Sequence, residues 1–174
     1  RTMVPIRFIA ETFDSQVHYK NAVVTVDTEP LVINEQEIKA FQTEAHMTMG
    51  SIISQIKLNA YIKDIYNIYV ENKGDKVEAP SYYSNHFDMT SPGNYYLQSK
   101  HEFIDTNGKS IKHFEVYGLV NTFPDELLKG YPEPLLYDVT ENQWYLFNDS
   151  ALKSINEIIK NASNNGHFEE ISNT

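Results

Sequence analysis

Residues 51–70, SIISQIKLNAYIKDIYNIYV, contain neither glycine nor proline and are apolar around most of their circumference. Ile52, Ile53, Ile56, Ala60, Ile65 and Tyr69 recur mostly at three- and four-residue steps, the spacing that stacks side chains along one side of a 3.6-residue helix. Ile62, Tyr66 and Val70 widen that side, while Gln55, Lys57, Asn59, Lys63, Asp64 and Asn67 need water. The pattern predicts one central helix of roughly 30 Å, at 1.5 Å per residue. Thr48 or Ser51 can cap its start, and Lys73-Gly74-Asp75 closes it, with Gly74 as a left-handed terminus. Its charged residues disqualify it as a membrane span, and no uninterrupted apolar run reaches the roughly 18 residues a span requires.

With 174 residues, the chain is long enough for a real core, and 12 Tyr and 9 Phe argue against disorder. Fourteen basic against 24 acidic side chains leave a net charge of -10, which repels phosphate backbones and anionic lipid, so nucleic acid is not an expected partner. Cysteine is absent, which removes disulfides, thiolate metal sites and thiol nucleophiles together. That absence leaves both the cytosol and the exterior open as compartments.

Before the central run, Pro5 suits the first turn of a short helix carrying Ile6, Phe8, Ile9 and Phe13 on its apolar side. Residues 16–19 and 22–26 alternate as two strands around Lys20-Asn21. Leu31, Val32 and Ile33 read as a strand, Asn34-Glu35 as a turn and residues 38–46 as a second strand, with a helix from Asn34 as the rival. After it, residues 78–94 form a long surface loop anchored by Tyr82 and Tyr83. Residues 95–104 and 110–120 pair through Asn107-Gly108, a strong hairpin signal. A short helix from Pro124 to Gly130 and a hairpin of residues 135–139 and 143–147 follow. Asn148-Asp149-Ser150 then cap a last amphipathic helix with Leu152, Ile155, Ile158 and Ile159 on one face. The expected fold is α+β: a short helix-hairpin unit, then a long helix on an antiparallel sheet of three or four strands, with a C-terminal helix.

The run TMVPIRFIAE of residues 2–11, followed by a Val-x-aromatic strand and a Val-Val-Thr-Val strand, resembles the second half of the copper amine oxidase N-terminal-like (stalk) domain. The resemblance covers about 27 residues and implies a partial stalk-like unit over residues 1–30; residues 31–174 read as an α+β domain, the alternative being one continuous domain in which the first hairpin extends the later sheet. It also implies a secreted or cell-surface protein of Gram-positive type, with no copper and no chemistry in the stalk unit. The chain departs from the family where Phe13-Asp14-Ser15 replaces the usual Leu-Gly-Ala and Tyr19-Lys20 replaces Trp-Asp. Arg1-Thr2-Met3 reads as the interior of a longer protein. Asn94-Tyr95-Tyr96 is not the oxidase cofactor motif, and no His-x-His copper pair exists.

Candidate chemistry is sparse. His46 with Met49 and His86 with Met89 form two His-x-x-Met pairs, a soft-metal donor set if they meet, although methionine is more often a core filler. Residues 143–150 are similar to the tail of the histidine box of ubiquitin-specific proteases, but that chemistry needs a cysteine. Asp105 and Asn107 resemble the opening of a calcium loop that lacks its closing glutamate, and a hairpin role already accounts for them. Glu169-Glu170 read as a solvated polar tail. No catalytic residue, metal or cofactor is assigned. Tyrosine is the surplus, and Tyr82, Tyr83, Tyr95 and Tyr96 mark a possible binding surface.

The expected function is a non-enzymatic extracellular binding or spacer module of a bacterial surface protein. Its expected partner is a cell-wall component or another surface protein. The alternative is an NTF2-like or cystatin-like domain that binds or turns over a small molecule in a pocket lined by His101, His113 and the loop tyrosines.

Overall fold

The computed structural model describes residues 15–20, 23–47 and 50–173. The helix expected over residues 5–13 lies outside them. Two strands, β1 (Ser15–Lys20) and β2 (Val23–Thr28), form an antiparallel hairpin with Val17 opposite Val26, as the alternation predicts.

The rest of the strands build one sheet. They are β3 (Val32–Ile33), β4 (Gln36–Met47), β5 (Gly50–Ile56), β6 (Lys76–Val77), β7 (Tyr83–Ser84), β8 (Tyr95–Asp105), β9 (Ser110–Leu119), β10 (Leu135–Asp138), β11 (Gln143–Leu146) and β12 (Phe168–Asn173). The spatial order is β12-β5-β4-β8-β9-β10-β11-β6, with β3 added on β4 and β7 on β8. Every pairing is antiparallel except β7 with β8. Among the described residues there are three helices: α1 (Asn59–Asn72), α2 (Asp125–Leu128) and α3 (Asp149–Asn164).

The expected architecture is therefore corrected. The chain is mostly antiparallel sheet, with ten strands in one sheet and short helices, rather than a helix-hairpin stalk followed by a long helix on a small sheet. The central run splits in two. Residues 50–56 are strand β5, and the helix begins only at Asn59, so it spans 14 residues. Ile52, Ile53 and Ile56 fit a helical spacing by coincidence, but β-branched residues also suit a pleated surface. The decisive factor is pairing: β5 is bonded along both edges, to β4 with Phe41 opposite Ile56 and to β12 with Phe168 opposite Ile56. The partner β12 comes from the polar tail around Glu169-Glu170, more than a hundred residues away.

The caps change accordingly. Ser51 lies within β5 rather than at the helix start, Thr48 falls outside the described residues, and Leu58 at the boundary has no capping side chain. The buried carboxylate of Asp27, at the end of β2, accepts from the backbone N–H of Asn59 at 3.1 Å and of Ala60 at 3.2 Å. A negative group at these free amides satisfies them and meets the positive end of the helix dipole. Asn59 reciprocates through its side-chain amide, which donates to the Thr28 carbonyl at 2.9 Å. At the other end Gly74 is not left-handed. Its role is close approach: its N–H donates to the Leu146 carbonyl at 2.9 Å, and a Cβ there would meet Leu146 at 3.0 Å.

One face of the sheet carries the main core. Phe41, Ile56, Phe103, Phe114 and Leu136 from the strands pack with Ile62, Ile65 and Tyr69 of α1 and Leu152 and Ile155 of α3. Each such fully buried side chain contributes about 1.5–3 kcal/mol. Asn148 caps α3 as expected, its Oδ1 accepting from the Ala151 N–H at 2.7 Å. Beside the core, the turn between β10 and β11 holds a charge cluster. Fully buried Asp138 accepts from Lys73 at 2.5 Å and Lys112 at 2.7 Å, and Glu141 accepts from the same two lysines and from the Tyr145 hydroxyl.

Candidate binding face

Alternation along β8 and β9 decides which histidine sees which side. His101 and Phe114 are opposite each other and face the core, so their neighbours Glu102 and His113, also paired, face the other way. His101 is buried against Phe41, with ring centroids 4.9 Å apart, and its Nδ1 lies 2.6 Å from the Tyr69 hydroxyl. Tyr69 in turn stacks between Phe114 and Phe147. Burial, with a smaller repulsion from His113, drives the His101 imidazole down to about 3, and burial pushes the Tyr69 hydroxyl upward, so both are neutral. The interior around His101 is filled with rings. The pocket lined jointly by His101, His113 and the loop tyrosines does not form, because the sheet separates the two histidines.

The opposite face carries a polar ladder that runs into aromatics. Gln55 donates to Gln42, Gln42 donates to Glu102, and His113 lies between Glu102 and Glu115, with its Nε2 3.3 Å from Glu115. Glu115 accepts from the Tyr117 hydroxyl at 2.7 Å. Burial works to raise the Glu115 carboxyl, but the adjacent His113 imidazole and the bond from the Tyr117 hydroxyl outweigh it and hold the group below its ordinary value.

Beyond Glu115 the face becomes aromatic. Tyr137 stacks on Trp144 at 4.7 Å, Tyr117 lies 5.0 Å from Trp144, and Tyr83 sits edge-on to both Trp144 and Tyr117. Tyr117 and Trp144 form a second, smaller core with Tyr95, Leu119 and Leu135, and Tyr137 packs against it; residues 78–94 and 120–134 reach over it through Tyr83 and Leu128. Edge-to-face and offset pairs of this kind add about 0.5–1.5 kcal/mol each beyond their burial. Exposed apolar groups then concentrate in the covering loops: Tyr82, Tyr83, Phe87, Met89 and Tyr131 are all more than 40% exposed.

Of the tyrosines singled out in the sequence, Tyr82 and Tyr83 are therefore exposed, Tyr96 is half-buried with its ring against Phe87 at 4.8 Å, and Tyr95 is buried. The Tyr95 hydroxyl donates to the Pro132 carbonyl at 2.6 Å, and burial pushes it up to about 12. Sequence reasoning did not place Trp144 or Tyr137 at this end. The β10-β11 hairpin was legible, but its pairing with β9 rather than another strand was not.

The soft-metal candidates do not assemble into a described site. His46 lies in β4 opposite Ser51, Met49 falls outside the described residues, and His86 and Met89 are exposed on the loop. Among the described residues no group of three or more histidines and acids is arranged to hold a metal ion. Asp105 is spent on its own turn, where its Oδ1 accepts from the N–H groups of Asn107 and Lys109, both at 2.8 Å. No helix among the described residues is long and apolar enough to cross a membrane. No protein-family model, no curated protein and no solved structure matches the chain.

Proposed function

We propose that the chain is a non-enzymatic extracellular binding or spacer module of a bacterial surface protein, engaging a cell-wall component or another surface protein through the aromatic end of its sheet. The observation that carries this reading is the concentration of exposed Tyr82, Tyr83, Phe87, Met89 and Tyr131 over a rigid aromatic base. Exposed apolar residues scattered singly need no explanation, whereas a group of them at one end marks an interaction surface. The filled interior around His101 and Tyr69 favours binding on this surface over binding inside the fold. The stalk-domain resemblance of residues 1–27 supports the location.

The test is co-sedimentation of the whole chain with isolated Gram-positive cell walls, alongside fractionation of the cells that produce it. Retention by the walls, reduced by Tyr82→Ala with Tyr83→Ala, and recovery in the surface fraction are expected. Recovery in the cytosol, or wall retention that the double substitution leaves unchanged, overturns the reading.

A further inference from the structure

Two clefts meet at Tyr131 on the aromatic end. The smaller, about 240 Å³, is walled by Val77, Pro80, Tyr95, Tyr131, Pro132 and Leu135. The larger, more open one, about 550 Å³, presents Asp125, Glu126 and Glu133 against a single Lys129, with Leu119 and Leu128 at its floor. The wall between them is held in place. Tyr95 fixes Pro132 through its hydroxyl, and Gly93, at φ +87°, lies so close to the Tyr131 ring that a Cβ would come within 2.5 Å of it. Only glycine permits both that backbone and that approach.

Size and charge restrict the occupant. The smaller cleft falls below the roughly 300–1,000 Å³ that enclose a drug-sized ligand, so it suits one side chain. Its walls are mostly apolar and aromatic; beside Glu78 and Ser81 the polar side-chain groups are the hydroxyls of Tyr131 and of Tyr95, the latter already bonded to Pro132, a sparse set for the hydroxyls of a sugar ring. The neighbouring cleft has a local excess of two negative charges, three carboxylates against one ammonium, on a chain of net charge -10. Such a field draws cations. Burial raises the Glu133 carboxyl above its ordinary value and the charge of Asp149 adds to this, against a lowering backbone bond from Leu119.

We propose that this double cleft binds an extended segment of another polypeptide, seating an apolar or proline side chain in the Tyr95-Tyr131 notch and an adjacent lysine or arginine among Asp125, Glu126 and Glu133. The proposal rests on the reading of this end as the binding face and names the chemistry of the partner. Aromatic-lined grooves take extended, proline-containing segments because these are already ordered before binding.

The test is fluorescence anisotropy of the whole chain with two labelled decapeptides, one repeating leucine, proline and lysine, the other with each lysine replaced by glutamate. Saturable, salt-sensitive binding of the lysine peptide alone is expected. It should weaken about tenfold or more in Tyr131→Ala, the loss of a central aromatic anchor, and severalfold in Glu126→Lys. Both side chains are exposed, so neither change threatens folding. Equal binding of both peptides, no saturable binding, insensitivity to Tyr131→Ala, or displacement by an N-acetylglucosamine tetramer overturns the proposal. Wall retention that depends on Tyr82 and Tyr83 while the lysine peptide fails to bind rejects this inference alone. Peptide binding by a protein recovered only from the cytosol rejects the surface-module reading alone.

Discussion

Acidification between pH 7.5 and pH 5.0 tests the buried His101 directly. In the folded chain its imidazole is held down to about 3, while once unfolded it titrates near its ordinary 6.5. Unfolding therefore takes up a proton in the window between these values. The sign follows: the contribution is fully present above about 6.5 and is lost as pH falls toward 3. One proton gives a slope of about 1.4 kcal/mol per pH unit well below 6.5, so the loss between pH 7.5 and 5.0 comes to about 2 kcal/mol. That is a large part of a total stability on the order of 5–15 kcal/mol. The assay is urea unfolding at a series of pH values in that range, comparing the parent chain with His101→Leu. The variant starts less stable because the Tyr69 hydroxyl loses its partner, and adding Tyr69→Phe restores part of that. Its pH dependence should nevertheless be shallower by about one proton. If His101→Leu loses as much stability as the parent over the window, the imidazole is not the group being titrated and the reasoning fails.

The charge cluster at the β10-β11 turn should respond unequally to its two acids. Asp138→Ala removes the fully buried acceptor and leaves Lys73 and Lys112 with the half-exposed Glu141 alone, which should cost about 3 kcal/mol by urea unfolding. Glu141→Gln, at a half-exposed side chain, should cost less than about 1 kcal/mol near neutral pH, and comparable losses for the two would contradict the burial argument. Lys112 holds the Glu141 carboxyl down to about 2, so its contribution is present above 4.5 and fades as pH falls toward 2. Parent and Glu141→Gln should therefore converge in stability on acidification. Asp27→Ala removes the acceptor that caps α1 and should cost about 1–2 kcal/mol. Asp27→Asn, which keeps an acceptor oxygen, should retain part of that, and hydrogen exchange at Asn59 and Ala60 should rise in the alanine variant.

Local chemistry was legible wherever one short stretch carries both halves of a signal. The Asn107-Gly108 turn, the Asn148 cap and the alternation of Val17 and Tyr19 against Val24 and Val26 each specify structure within a few residues. The segment 51–70 was misread because strand and helix periods overlap in Ile52, Ile53 and Ile56, and the choice between them depends on partners distant in sequence. β4 and β12 supply those partners, and the edge they satisfy outweighs a weak local preference. The cap of α1 was invisible for the same reason: Asp27 lies 32 residues before Asn59.

The same division holds for the binding face. Aromatic richness, the absence of cysteine and the acidic charge were determined by composition, and they set which chemistry the chain can carry. Which tyrosines are buried and which are offered to a partner was decided by tertiary structure alone. The β8-β9 register sends His101 and His113 to opposite faces, and the pairing of β10 with β9 and β11 brings Tyr137 and Trp144 to Tyr117. Side-chain direction in a strand is local, but the surface it meets is set by strands that only the completed sheet brings together.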